Sequence, residues 1–293
     1  MKLTEMWKTR GVPTISFELF PARSDKAAVK LDKAIGKLSA LEPDFVSVTF
    51  GAGGSTRQGS LDLASVLKNE KGLEVLPYFA CHGLSPKQIT EVVATYRDLG
   101  VDNLLAVRGD EPRDAEDFTP HPESLAHASD LLGLLAESHD LCLGAACYPE
   151  GHVAAESLDA DLEFVKLKVD CGAEFLIANY CYDNRFFFDL LERAAKAGID
   201  VPIVAGVMPI YNIKMMENLA ALCGATITDE VRAGIAALPE GDKQALGRFG
   251  IEYATEQCRG LIEGGVAGLH FYTMDRAKSV VGIVGNLREG GLL

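Results

Sequence analysis

Short apolar runs rich in β-branched and aromatic residues recur along the chain, and each is followed by a stretch with the spacing of an amphipathic helix. The runs are "TISFELF" (14–20), "FVSVTF" (45–50), "VLPYFAC" (75–81), "NLLAVRG" (103–109), "LGAACYP" (143–149), "FLIANY" (175–180), "PIVAGVMP" (202–209) and "GLHFYT" (268–273). They read as near-continuous hydrophobic strings rather than clean alternations, the pattern of a parallel sheet covered by helices. After the first run, Leu31, Ile35 and Leu38 recur at helical spacing. The segment "LSPKQITEVVATYRDLG" opens with Ser85 as an N-cap, puts Pro86 at the first helical position and leaves Gly100 beyond the end.

Eight strand–helix units in 293 residues, with no break in composition between them, predict an α/β fold: a single (β/α)8 barrel domain spanning residues 1–293. The long segment 210–267 is mostly helical in pattern and should add extra helices between strands seven and eight. An open doubly wound sheet is the alternative, but it usually has fewer strands and often a glycine-rich first turn. Here "GAGGSTRQG" after the second strand only partly echoes that turn.

In a barrel, the C-terminal ends of the strands carry the chemistry. Those ends bring forward Glu18, Thr49, Cys81 with His82, Arg108 with Asp110, Tyr148, Asn179, Met208, and Tyr272 with Thr273 and Arg276. Glu18 sits in the otherwise apolar "ISFELF", where desolvation should raise its pKa and let it donate a proton. Asp110 lies beside Arg108 and should stay ionised, able to stabilise a cation. The bland readings are an outward-facing Glu18 and a structural ion pair at Asp110. No strand end offers the lysine a Schiff-base aldolase requires.

Composition narrows the function further. With 48% hydrophobic and 24% charged residues the chain can bury a large core, and a net charge of −14 argues against a nucleic-acid surface. An anionic ligand would have to be held by local cations or backbone amides. The seven cysteines include no C-x-x-C pair, so neither a disulfide framework nor a zinc knuckle is expected, and most should be small core residues. No apolar run is long enough for a membrane helix and the start lacks the apolar core of a secretory signal, so a soluble, cytoplasmic protein is expected.

In "ESLDADLEFVKLKVDCG", Leu158, Leu162, Val165 and Val169 form a predicted core stripe and leave Asp161 and Lys168 together on another flank.

The motifs "ISFELFPAR", "DFVSVTFGAGGSTR", "LLAVRGDEP", "AACYPEGH" and "GLHFYTMDRA" together resemble the successive motifs of the methylenetetrahydrofolate reductases, in the family's order along nearly the whole chain. The resemblance implies a (β/α)8 flavoprotein that binds FAD at the barrel mouth. It would reduce 5,10-methylenetetrahydrofolate to 5-methyltetrahydrofolate, a step of one-carbon metabolism that serves methionine biosynthesis. Glu18 then matches the general acid that protonates N10 of the opening substrate ring. Asp110 matches the aspartate that stabilises the iminium and tunes the flavin, and it also contacts the folate.

FAD contacts carried over by the resemblance are Thr49, Phe50, Ala52, Tyr78, Arg108, Gly109, Asp110, Ala128, Tyr148, His152, Ala155, Asp161 and Lys168. Asn179 and Arg276 match folate contacts. Three positions depart from the well-studied bacterial enzymes: Tyr78 stands for a histidine, Asn179 for a glutamine, and Ile213 for the phenylalanine on which the nicotinamide dinucleotide packs. NADH or NADPH is the electron donor the resemblance implies; the alternative is a complex in which a partner subunit reduces the FAD. A homo-oligomer is also implied, and the length leaves no room for the regulatory domain of animal relatives. A folate- or corrinoid-dependent barrel methyltransferase is the more distant alternative.

Overall fold

The computed structural model describes residues 1–50, 54–109 and 119–293, with the side chains of 54–56 outside that description. Eight parallel strands close into a barrel in sequence order: β1 (Thr14–Leu19), β2 (Phe45–Val48), β3 (Val75–Ala80), β4 (Asn103–Val107), β5 (Cys142–Cys147), β6 (Phe175–Tyr180), β7 (Ile203–Val207) and β8 (Gly268–Tyr272). Each lies within a predicted run or within one residue of it. The helices in chain order are α1 (Leu3–Thr9), α2 (Asp25–Ser39), α3 (Gly54–Ser65, continued by a π-helical turn over Val66–Glu70), α4 (Pro86–Asp98), α5 (Ala128–Ser138), α6 (Leu158–Asp170), α7 (Asn184–Lys196), α8 (Ile213–Cys223), α9 (Asp229–Ala236), α10 (Lys243–Glu263) and α11 (Ala277–Glu289). The expected extra helices between strands seven and eight are α8 and α9, which precede α10.

Local chemistry fixes the helix ends. Ser85 and Gln88 form a reciprocal capping box at the start of α4, with Pro86 at its first position, and Gly100 takes φ +76° just past the end. Ser24, Ser157, Asn212, Thr228 and Asp242 cap their helices through side-chain oxygens in the same way. Leu31, Ile35 and Leu38 are buried on α2, as their spacing predicts.

Side chains alternate across each strand, and in a closed barrel the two parities serve two cores. On β1, Ile15, Phe17 and Leu19 belong to the large layer between the strands and the helices. Their neighbours Ser16 and Glu18 face the barrel interior. At the N-terminal end of that interior, Phe45, Leu76, Leu105, Cys142, Phe175, Ile177 and Val204 form a second core with Leu3 of α1. Trp7 of α1 packs edge-on against Phe45 and lies 5.2 Å from the Phe175 ring, while its indole N–H donates to Thr14 Oγ1 at 3.0 Å. The α1 helix, which the apolar pattern does not announce, thus closes the bottom of the barrel.

Close packing inside requires missing side chains at some positions. A Cβ on Gly144 would come within 2.3 Å of the Phe175 ring, and one on Gly206 within 2.2 Å of the Ala178 carbonyl oxygen and 2.8 Å of Tyr272. Because the Gly206 clash is with backbone, Gly206→Ala should lower stability by about 1–3 kcal/mol. A melting temperature equal to the parent's would contradict this packing.

Candidate active site

Closure of the barrel brings the first and eighth strands side by side, so that their C-terminal ends meet at the mouth. Glu18 pairs in register with Ser47 on one side and Tyr272 on the other, and Ser16 pairs with His270. Glu18 is 5% exposed, so it does not face outward. Burial, together with the nearby charge of Asp275 and against a hydrogen bond from Tyr78, pushes its carboxyl up from 4.5 to about 8. Burial thus favours its protonated form.

Below Glu18 runs a buried polar column. His270 is fully buried, and desolvation holds its imidazole down at about 3, so the ring is neutral. One nitrogen, Nδ1, lies 2.8 Å from Ser16 Oγ; the other, Nε2, lies 3.2 Å from both Ser47 Oγ and the Tyr78 hydroxyl. Ser16 donates in turn to the Leu269 carbonyl at 3.2 Å. One assignment satisfies the main chain of contacts: Glu18 donates to Tyr78, Tyr78 donates to Nε2, and Nδ1–H donates to Ser16. His270 was legible as the only polar residue in "GLHFY", two positions before Tyr272 and therefore on the same face, yet it was missed as a site residue.

The turn after β8 adds a second carboxylate that sequence reasoning passed over. Thr273 Oγ1 donates to the Glu18 carbonyl at 2.5 Å and accepts from the Asp275 N–H, and Asp275 Oδ1 accepts from the Phe20 N–H at 3.1 Å. Met274 and Asp275 adopt left-handed backbone, φ 49° and 54°, which is uncommon outside glycine and turns the chain sharply at the mouth. Arg276, exposed, then lies over the Tyr211 ring at 5.7 Å. Tyr211 donates to the Tyr272 carbonyl, and Tyr272 donates to that of Ala178.

The remaining predicted residues spread around the same rim. Thr49 donates its N–H to the Leu19 carbonyl, and the Phe50 ring lies 4.9 Å from Phe79. Arg108 is exposed, and Gly109 takes φ +85° with Ala80 so close that a Cβ would approach it to 2.7 Å. Ala128 opens α5. The Tyr148 and His152 rings meet edge-on at 4.9 Å, and the Ala155 N–H donates to the His152 carbonyl. Asn179 Oδ1 accepts from the Tyr180 N–H at 2.9 Å. Ala52 and Asp110 lie outside the described residues.

On α6 the expected core stripe is corrected. Leu158 is 42% exposed and Leu162 and Val169 are only partly buried, whereas Asp161 is 6% exposed and lies on the inner side with Val165. Burial raises the Asp161 carboxyl, against the Lys168 charge and a hydrogen bond from the His152 N–H. Burial lowers the Lys168 ammonium, which donates to the Ala146 carbonyl at 2.8 Å. Leu162, Val165 and Val169 still pack against the core, so the departures from the predicted stripe are Leu158, which is exposed, and Asp161, which turns inward beside them. The Asp161–Lys168 pair places a donor and an acceptor beside the Tyr148–His152 aromatic edge.

Fold and site define a (β/α)8 barrel that buries a carboxylic acid at its C-terminal mouth. The chain belongs to the methylenetetrahydrofolate reductase family, whose profile matches residues 2–288. It is 33% identical to the 5,10-methylenetetrahydrofolate reductase of Escherichia coli (strain K12), over 92% of this chain and 89% of that one. It is 32% identical to methylenetetrahydrofolate reductase (NADH) 1 of Arabidopsis thaliana, over 98% of this chain, and spans about half (51%) of that plant relative's length. Among solved structures, a Clostridium thermocellum protein described as binding two copies of 5-methyl-5,6,7,8-tetrahydrofolic acid superimposes with TM-score 0.65 at 16% identity, over 98% of this chain and 99% of that one, a likeness of fold. Among the described residues no helix is long and apolar enough to cross a membrane.

The pKa of Glu18 makes a stability prediction. Between 4.5 and about 8 the folded state holds a proton that the unfolded chain has lost, so this group's contribution falls as pH rises through that window. Glu18→Gln removes the loss. Its stability relative to the parent should therefore climb from acid to pH 8 by on the order of a few kcal/mol, read from denaturant midpoints at several pH values. A constant difference across that range would mean Glu18 is ionised in the folded protein.

Proposed function

We propose that this protein catalyses the FAD-dependent reduction of 5,10-methylenetetrahydrofolate to 5-methyltetrahydrofolate. The observation that carries the reading is Glu18, a neutral acid at the mouth of a barrel of this family. Opening of the substrate's five-membered ring breaks the bond between N10 and the bridging carbon. Glu18 donates its proton to the departing N10, leaving the carbon as a cationic iminium on N5. Reduced FAD, when bound, supplies the hydride that this carbon takes up. Glu18, now a carboxylate, is held by the Tyr78 hydroxyl until it is reprotonated. Asp110, by family resemblance, supplies the negative charge that stabilises the iminium and contacts the folate.

The described residues suit a flavin dinucleotide. Gly109 has a left-handed backbone that packs against Ala80 with no room for a Cβ, which fixes the turn after β4 at the rim where the resemblance places the flavin. Lys168 has used one of its three N–H groups, on Ala146, and lies near Asp161, which suits a phosphate oxygen and a ribose hydroxyl respectively. Thr49, Phe50, Tyr148 and His152 extend the same rim. Asn179 and Arg276 would orient the folate, Arg276 through a carboxylate.

NADH is the donor named for the plant relative, and NADH or NADPH is the donor proposed here. Ile213, 41% exposed at the start of α8, gives a nicotinamide no aromatic surface, and this favours as a second reading an electron-donating partner subunit.

Anaerobic half-reactions test the assignment. In Glu18→Gln, bleaching of the flavin by its reductant should match the parent, while reoxidation by methylenetetrahydrofolate should slow by about 100-fold or more. Undiminished reoxidation would remove Glu18 as the acid. In the parent, folate reduction should be full below about pH 8 and fall above it, because the acid form is lost as pH rises through that value. Tyr78→Phe deletes a hydrogen bond that favours the carboxylate, so the fall should move to higher pH. A shift to lower pH would refute the contact. Lys168→Met should weaken FAD binding by about 10- to 100-fold in a fluorescence-quenching titration, and an unchanged affinity would take Lys168 out of the site.

A further inference from the structure

The turn that follows β8 is fastened to the end of β1 on both sides of Leu19. The Thr273 hydroxyl donates to the Glu18 carbonyl at 2.5 Å, and the Phe20 N–H donates to Asp275 Oδ1 at 3.1 Å. Thr273 Oγ1 in turn accepts from the Asp275 N–H at 3.1 Å. To reach this position the backbone takes left-handed values at two consecutive non-glycine residues, Met274 at φ 49° and Asp275 at φ 54°. Such values are unfavourable for an L-residue and persist where the surroundings over-determine them, often at functional sites. Here the strained turn places a second carboxyl beside Glu18.

Among the described residues, the titratable groups close to the Glu18 carboxyl are Tyr78 from β3, Tyr272 from β8, Tyr211 from the segment after β7, and Asp275. Burial raises all three phenols far above their usual value, so they are neutral near pH 7. His270, one layer deeper, is also held neutral by desolvation. Asp275 is therefore the group of this set that brings a charge to Glu18. Its own carboxyl is raised by burial and held back by the Phe20 N–H, and Glu18 is in turn raised by its charge, so Asp275 ionises first. Asp275 lines a groove of about 790 Å³ with Arg276 and Lys278, with Lys30, Lys33 and Lys37 of α2, and with Lys243 and Arg248 of α10. None of these cations shifts the Asp275 carboxyl.

We propose that Asp275 is a positioning residue of the reduction: its fixed carboxylate keeps the proton on Glu18 until N10 of the folate takes it, and favours its replacement from water afterwards. This inference rests on the folate reading above. Burial sets the main preference of Glu18, and two neighbours adjust it in opposite directions. The Tyr78 hydroxyl supports the carboxylate form by a hydrogen bond, and the Asp275 charge opposes that form. Once Glu18 has given its proton to N10, two carboxylates face each other at the mouth. Their repulsion favours transfer of a proton from water in the groove to Glu18 over a persisting pair of anions. The column beneath cannot return that proton, because His270 is neutral and the chain of contacts ends on the Leu269 carbonyl.

Asp275→Asn tests the role with the fold kept. An asparagine tolerates left-handed backbone and retains an oxygen for the Phe20 N–H, so the substitution removes the charge and leaves the tether. Two readouts are taken on the full chain supplied with FAD. The first is an infrared titration of the Glu18 carboxyl, whose band is identified by its loss in Glu18→Gln, and it needs no folate. The second is the pH profile of flavin reoxidation by methylenetetrahydrofolate. In Asp275→Asn both midpoints should fall by about 0.5–1 pH unit, opposite to the direction expected for Tyr78→Phe, while the reoxidation rate on the acid side stays within about twofold of the parent's. Asp275→Ala, which loses the tether as well, should show the same midpoints and a lower rate. Unmoved midpoints in Asp275→Asn overturn the role, and so do midpoints that move only in Asp275→Ala, which would make the residue a structural tether. If the infrared midpoint falls in Asp275→Asn but methylenetetrahydrofolate does not reoxidise the flavin of the parent, the action of Asp275 on Glu18 stands and the folate reading falls.

Discussion

The pairing of β1 with β8 is the constraint on which the site depends. It joins Thr14–Glu18 to Gly268–Tyr272 across some 250 residues of chain, and without it Glu18 would sit on a sheet edge in water. Closure does two things at once. It removes both edges, and it forces the even-numbered residues of β1 into an interior they share with His270 and Tyr272. Gly268 is part of the arrangement, since a Cβ there would come within 2.0 Å of Thr14 Oγ1. The acid's chemistry is therefore a consequence of topology, because a glutamate becomes a proton donor at neutral pH only when water is kept from it.

Burial of that acid is tolerated because the interior is layered. Aromatic and aliphatic residues, with α1 as a plug, fill the N-terminal half; a polar layer of Ser16, Ser47, Tyr78 and His270 lies above them; Glu18 lies above that. A charged column would be far more costly than a neutral one. His270 held near 3 and Glu18 raised to about 8 both settle in their uncharged forms around pH 7, so the network is satisfied by hydrogen bonds alone.

The architecture was legible in the sequence because eight apolar runs of parallel-sheet character, punctuated by caps such as Ser85 with Pro86, leave few alternatives. The raised pKa of Glu18 was legible for the same reason: an acid inside "ISFELF" has apolar neighbours whichever way it points. Long-range partners were not. His270 meets Ser16 and Asp275 comes near Glu18 only through closure, and a one-dimensional pattern cannot show which residues of the first and eighth strands share a layer. On α6 the apolar period was right for Leu162, Val165 and Val169, but it could not show that Asp161 would be buried beside them while Leu158 stays exposed. The segment Leu3–Thr9 carries too few apolar residues to announce a helix, yet Leu3 and Trp7 complete the barrel floor.

Tyr78 shows how a departure from the bacterial pattern can be accommodated by the same physics. A histidine in this layer would meet the desolvation that holds His270 neutral, and two neutral imidazoles facing each other each offer one fixed donor and one fixed acceptor. A phenol offers a single oxygen that accepts from Glu18 and donates to Nε2 of His270 through one rotatable bond, and its own proton is held firmly because burial raises it well above 10. The hydroxyl can therefore turn its donor toward the Glu18 carboxylate once the acid's proton has left, without any charge moving deeper into the barrel. In this chain the residue beneath Glu18 is thus suited to both protonation states of its carboxyl.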